Sequence, residues 1–220
     1  MVNFVKKSPY EWDDLARIVA LLRSPEGCPW DREQTHRSIR DNLLEECCEA
    51  LEALDTGASV SLCEELGDVL LQVFLHAQIA AEADEFTLGS VVDGIARKLI
   101  FRHPHVFSDV QAESVDEVLR NWDDIKRAAK GQALPSDAMR GVSRGLPGLM
   151  RAEKLLARAE RAGGSEDAAA PVSEEELGEA LFSLAVRARR GGLSAEKALH
   201  AACDRFIEKF ADSEASGAPG

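Results

Sequence analysis

Two pairs of acidic residues stand at a spacing that can hold a cation. Glu46 and Glu49 are three apart, as are Glu65 and Asp68, and residues three or four apart on a helix share a face. Between the pairs the chain turns at Asp55-Thr56-Gly57. Glu49 precedes Gly57 by 8 residues and Glu65 follows it by 8; Glu46 precedes it by 11 and Asp68 follows it by 11. In an antiparallel helical hairpin each residue advances about 1.5 Å, so equal counts bring the two pairs to one height. The same face carries Leu43, Ala50, Ala53, Val69 and Gln72. Four carboxylates converging there repel one another unless they are protonated or neutralised by a cation. Oxygen donors in this number suit Mg²⁺ or Mn²⁺. A solvated helix face is the competing explanation of any acidic run. It suits Glu52, Glu82, Asp84 and Glu85 well. It suits the four hairpin residues poorly, because no Lys or Arg stands at i±4 to pair with them. A di-iron bundle needs Glu-x-x-His from two helices, and no His stands three residues after a Glu in the hairpin.

Cations return directly after this segment, as Arg97-Lys98 and Arg102-His103-Pro104-His105, followed by Trp122 and Lys126. Lys98 and Arg102 are four apart and share a helical face, as do Trp122 and Lys126. Bases beside a metal-loaded acidic site are what a polyphosphate substrate needs, with an aromatic ring to stack on a nucleobase. The simpler alternatives are salt bridges for Lys98 and Arg102 and a core position for Trp122. Trp30, in Cys28-Pro29-Trp30-Asp31, is either a loop anchor or a pocket wall. His76, on an apolar helix, reads as a core residue, and His103 and His105 read as caps of a helix C-terminus. The five cysteines form no CxxC pattern, so zinc is not expected.

The charge of the whole chain follows this layout. Its 220 residues hold 39 Asp+Glu against 26 Lys+Arg, a net −13, and residues 41–96 contain 13 of the acids and no base. The rest of the chain balances at 26 of each. A net acidic protein lacks the basic footprint of a duplex nucleic-acid binder. The longest apolar run, Val69 to Ala81, is interrupted by polar residues and falls short of the roughly 20 residues of a membrane span. The N-terminus has no apolar core of signal-peptide length. Adjacent Cys47 and Cys48 suit a reducing compartment better than a disulfide framework, so a cytoplasmic protein is expected.

The elements that must position these residues read as helices throughout. Apolar residues recur at helical spacing and no strand–turn–strand pattern appears, so the fold class is all-α. Ser-x-x-Glu capping boxes mark helix starts at Ser8 (with Pro9 at the first helical position), Ser61, Ser114 and Ser173. Helices are expected near 8–23, 35–54, 61–83, 87–102, 114–130, 149–162, 173–190 and 194–212, with a Pro/Gly loop running through Trp30. One repeat stands out. Glu65-Leu-Gly-Asp-Val-Leu-Leu reappears as Glu176-Leu-Gly-Glu-Ala-Leu-Phe at an offset of 111, and Phe86-Thr-Leu-Gly-Ser aligns with Leu193-Ser-Ala-Glu-Lys at an offset of 107. Agreement over two helices points to an old duplication whose second copy is four residues shorter between helices.

Cys28-Pro29-Trp30-Asp31, the EExxE at Glu45–Glu49, the ELGD at Glu65–Asp68, Arg102-His-Pro-His-Val-Phe107 and Trp122-Asp-Asp-Ile-Lys126 together resemble the MazG nucleoside triphosphate pyrophosphohydrolases. These belong to the all-α NTP pyrophosphatase superfamily, and the resemblance covers residues 8–130. It implies a helical-bundle homodimer that hydrolyses a nucleoside triphosphate to the monophosphate and pyrophosphate with Mg²⁺, Mn²⁺ being a possible substitute. By resemblance Glu46, Glu49, Glu65 and Asp68 hold the metal, and Lys98, Arg102 and Lys126 grip phosphates. Trp122 lies near the base, with Trp30 on the substrate side, and Glu45 or Glu46 is the general base. There are departures. A second domain keeps its Leu-Pro-Gly-Leu-Met-Arg-Ala-Glu-Lys start at 146–154 and its last two helices. It lacks a second EExxE helix between Lys154 and Glu176, and Glu179 replaces the aspartate. Phe101 stands where the family usually has a basic residue.

The expectation is therefore a catalytic domain over 1–130, a linker over 131–148, a degenerate second repeat over 149–212 and a flexible tail over 213–220. The expected role is housecleaning of the nucleotide pool. The rival is a non-catalytic helical dimerisation module, which has no need of four converging, unpaired carboxylates.

Overall fold

The computed structural model describes residues 4–108, 134–164 and 173–216, and every regular element among them is a helix. The first six are α1 (Trp12–Leu22), α2 (Pro29–Glu33), α3 (Arg40–Thr56), α4 (Ser59–Glu82), α5 (Leu88–Arg102) and α6 (Pro104–Phe107). The remaining four are α7 (Pro135–Arg140), α8 (Gly148–Arg161), α9 (Glu174–Arg190) and α10 (Ala195–Ser216). The chain divides into two compact units, Met1–Asp109 and Val110–Gly220. The helix expected at 114–130 lies outside the described residues. No helix among the described residues is long and apolar enough to cross a membrane.

In the first unit α3 and α4 form the most extensively packed pair. Only Gly57 and Ala58 separate them. Gly57 adopts φ 68°, ψ 16°, the left-handed conformation that a Cβ disfavours, and its N–H closes α3 on the Leu54 carbonyl at 3.2 Å. The reversal leaves Ala58 as the N-cap of α4. Helix α4 thus starts at Ser59, and the box expected at Ser61 lies inside it. The core gathers Val19, Ile39, Phe74 and Leu75, with Leu15, Leu71 and Ile79 packed around them. Leu71, Leu75 and Ile79 follow one another at four-residue steps, so they line one face of α4. Burying each large aliphatic or aromatic side chain contributes about 1.5–3 kcal/mol, which holds the far half of α4 in place.

Three local expectations in this unit are corrected. Helix α1 begins at Trp12, because the Glu11 N–H donates to Asp14 Oδ2 at 2.7 Å and Lys7 pairs with the same carboxylate at 2.7 Å. Asp14 does the capping, and Ser8 and Pro9 lie outside the helix. Residues 35–39 form a turn, where the Thr35 N–H donates to Ser38 Oγ at 2.9 Å and the Ser38 N–H donates to Thr35 Oγ1 at 3.2 Å. Such side-chain bonds compete with the helical ladder. The loop through Trp30 contains α2, opened by Pro29 in its first turn.

In the second unit the described part of the stretch expected to be a linker, residues 134–148, contains a helix. Pro135 sits in the first turn of α7, where its missing N–H is not needed. Met139 and Val142 enter a core with Leu155, Ala159, Cys203 and Ile207. Helix α10 runs to Ser216, past the point where a flexible tail was expected, and its last turns are fastened by Ser136 Oγ donating to Glu214 at 2.6 Å. The shortening of the second copy lies mostly within a helix. Helix α4 continues 17 residues beyond Glu65, whereas α9 continues 14 beyond Glu176, and the following connection is only one residue shorter.

Candidate metal centre

Helix α3 presents Glu46 and Glu49 one turn apart, and α4 presents Glu65 opposite them. One carboxylate oxygen from each lies within 4.8 Å of the others, the only such trio of His, Cys, Asp or Glu ligand atoms among the described residues. Glu49 faces Glu65 across the helical pair, and its charge acts on the Glu65 carboxyl. Asp68 stands beside the trio and its charge acts on both Glu46 and Glu65, but it is not one of the three. Glu45 is exposed, and its charge also reaches Glu46.

The electrostatics are those of like charges without counter-charge. Burial, then Asp68, Glu49 and Glu45, hold the Glu46 carboxyl above the usual glutamate range. Burial, then Glu49 and Asp68, do the same to Glu65. Like charges gathered this closely are relieved by a proton or by a bound cation. The donors are all hard oxygens, and no Lys or Arg occurs from 41 to 96. This donor set fits a hard divalent cation.

The expected substrate residues that are described lie on two helices. Trp30 projects from α2 and is 60% exposed, and Lys98 is exposed on α5. Arg102, the last residue of α5, is half-buried. Trp122 and Lys126 lie outside the described residues. Beyond Arg102, the His103 ring Nδ1 meets the Leu99 carbonyl at 2.6 Å, a capping contact at the end of α5.

Two features escaped the sequence reading. His76 is half-buried and its partner is His36, with the two Nδ1 atoms 2.7 Å apart and the rings stacked at 5.1 Å. One ring donates to the other, and burial followed by the His36 charge lowers the His76 pKa. Its four-residue steps from Asp68 and Gln72 were a signal that His76 shares their face of α4. The second feature is Arg23, which is buried. Its Nε and Nη2 donate to Glu82 at 3.0 and 2.7 Å, and its Nη1 donates to the carbonyls of Asp31 and Gln34. That guanidinium fastens the Trp30 loop to the end of α4.

The sequence is similar to those of known proteins. Residues 34–107 match the family model of the MazG nucleotide pyrophosphohydrolase domain. The chain is 37% identical over 229 residues to the nucleoside triphosphate pyrophosphohydrolase/pyrophosphatase MazG of Thermotoga maritima, covering 96% of this chain and 88% of that one. It is also 37% identical over 227 residues to the nucleoside triphosphate pyrophosphohydrolase of Escherichia coli, covering 92% and 86% respectively. The uncharacterized protein YabN of Bacillus subtilis is 47% identical over 146 residues, which make up 66% of this chain and 30% of YabN.

Proposed function

Since the chain belongs to the MazG family of nucleotide pyrophosphohydrolases, we propose that it hydrolyses nucleoside triphosphates to the monophosphate and pyrophosphate, with the chemistry housed in its first unit. The convergence of Glu46, Glu49 and Glu65 carries this reading. Glu46, Glu49 and Glu65, with Asp68 beside them, would hold Mg²⁺, or Mn²⁺ in its place. When bound, that cation supplies neutralising charge to the triphosphate and acidifies water. Lys98 and Arg102, with Lys126, share the remaining phosphate charge. Trp122 and Trp30 offer ring faces to the nucleoside. Glu45 or Glu46 takes the proton of the attacking water.

The reading extends to a cytoplasmic homodimer that clears the nucleotide pool. Support for a second copy comes from α5, where Ile95, Leu99, Ile100 and Phe101 are all exposed large apolar residues. The test is incubation with each ordinary or damaged nucleoside triphosphate and Mg²⁺, with monophosphate and pyrophosphate quantified. Equimolar products are expected. Inactivity on every triphosphate would sink the proposal.

A further inference from the structure

Trp30 is carried by a helix that cannot hold its own position. Helix α2 has five residues and buries none of them. Isolated helices shorter than about 12–15 residues are marginal in water, and most helices owe their place to an apolar face packed on a core. Helix α2 buries no such face, yet its backbone is fastened from three directions.

Before it, the chain lies against the end of α1. The Cys28 N–H donates to the Leu22 carbonyl at 2.7 Å, and a Cβ on Gly27 would run into the carbonyls of Leu21 and Leu22. After it, the Gln34 carboxamide accepts from Ser38 Oγ and donates to the Trp30 carbonyl, both at 2.8 Å. The third fastening is Arg23, the C-cap residue of α1. Its Nη1 donates to the carbonyls of Asp31 and Gln34, while Nε and Nη2 are held by Glu82, the last residue of α4. Glu82 is steadied in turn by Gln78 Nε2 at 3.0 Å. Burying a guanidinium is unfavourable unless its charge and its donors are met. This one is met by a carboxylate on a long helix and by two backbone carbonyls of the segment that carries the indole. The indole itself stays out in solvent. A fixed mount under an exposed ring removes the ordering cost that a ligand would otherwise meet on stacking there.

We propose, on the reading of Trp30 as a nucleoside contact, that Arg23 and Gln34 are positioning residues, which fix the Trp30 backbone so that its ring receives the nucleoside half of the substrate. The consequence is a division of labour. This clasp serves the nucleoside, and the triphosphate end is left to the carboxylates and bases.

The test is isothermal titration calorimetry on the full chain with Mg²⁺, using a non-hydrolysable nucleoside triphosphate and, separately, inorganic tripolyphosphate, which has no nucleoside. Trp30→Ala should weaken nucleotide binding by about tenfold, the scale of one lost base–ring stack, and Arg23→Gln should approach that loss. Gln34→Ala, which leaves the guanidinium in place, should weaken it by about threefold. Tripolyphosphate binding should stay within about twofold in all three. Either clasp variant added to Trp30→Ala should change nothing further, because both act through that ring. Should circular dichroism report that Arg23→Gln does not fold, Gln34→Ala carries the same comparison. Equal losses for nucleotide and tripolyphosphate overturn the proposal, as do losses that add to that of Trp30→Ala, or a Trp30→Ala variant that binds nucleotide as the parent does. A chain that hydrolyses no triphosphate yet gives the expected pattern loses the hydrolysis reading and keeps the clasp. An active chain whose clasp variants bind nucleotide like the parent keeps that reading and loses the clasp.

Discussion

Glu65 is the seventh residue of α4, well inside the helix, whereas Glu176, its counterpart in the repeat, is the third residue of α9. The Glu176 carboxylate accepts from the Ser173 N–H at 3.0 Å and from Ser173 Oγ at 2.9 Å. Those two bonds, the backbone one first, hold its carboxyl below the usual glutamate range. Glu65 meets burial and the charges of Glu49 and Asp68, which hold it above that range. The same residue type at the same place in a duplicated helix is a cation ligand candidate in one unit and a cap in the other. What separates them is where the helix begins and what stands opposite. A cap needs donors, and a metal ligand needs neighbours of its own sign.

The comparison is broken most severely by removing carboxylates from each unit in turn. Glu49→Ala/Asp68→Ala should lower kcat for triphosphate hydrolysis by on the order of 10³-fold, the scale of losing electrostatic stabilisation at the reacting phosphates. Glu176→Gln/Glu179→Gln should leave it within about twofold, since those groups face no reacting atoms. Steady-state kinetics checks both, and full activity in the first variant would overturn the assignment of the site. Next in size is a core truncation. Leu155→Ala, at a side chain 1% exposed, should destabilise the second unit by about 2–5 kcal/mol in urea unfolding.

A subtler contrast lies in the sign of two pH dependences, read as melting temperature without metal. The Glu65 carboxyl, raised on folding, contributes stability that is present below its ordinary value of 4.5 and is lost as pH rises through the folded value. Glu65→Gln should therefore melt higher than the parent at pH 7 and lose that advantage in acid. Glu176, depressed on folding, contributes stability present above 4.5 and lost as pH falls through the folded value. Glu176→Gln should melt lower than the parent at pH 7 and converge with it in acid. Curves of the same sign would dissolve the comparison. The smallest effect is Ser173→Ala, which removes the hydroxyl accepting the Glu176 N–H at 3.2 Å and should cost about 1 kcal/mol.

The convergence of Glu46, Glu49 and Glu65 was legible in the sequence because a helical pair with a short turn converts residue counts into heights. Gly57 supplied the origin of the count. The existence and type of the long helices among the described residues were legible for the same reason, being properties of periodicity, whereas the short α2, α6 and α7 were not. What could not be read were pairings set by tertiary approach. Arg23 and Glu82 are 59 residues apart, and His36 and His76 are 40 apart. No local pattern links them. Composition is silent on burial between 134 and 148, where Gly, Pro and Ser report turn chemistry, so Met139 at 0% exposure was missed. Capping boxes misled at Ser8 and Ser61, where Asp14 and the Gly57 reversal fixed the starts instead.

The link of Gly57 and Ala58 has a consequence for how such a protein can change. It works as a gauge block, setting the phase between α3 and α4 with no slack to absorb an error. One residue inserted there would shift Glu65 along its axis by about 1.5 Å and swing it through about 100°. Every acidic residue would survive, and the cage would not. Loss of chemistry in one copy of a duplicated domain thus requires no substitution at a ligand, only a change of length, and sequence identity at the acidic positions is a poor guide to whether a copy still works.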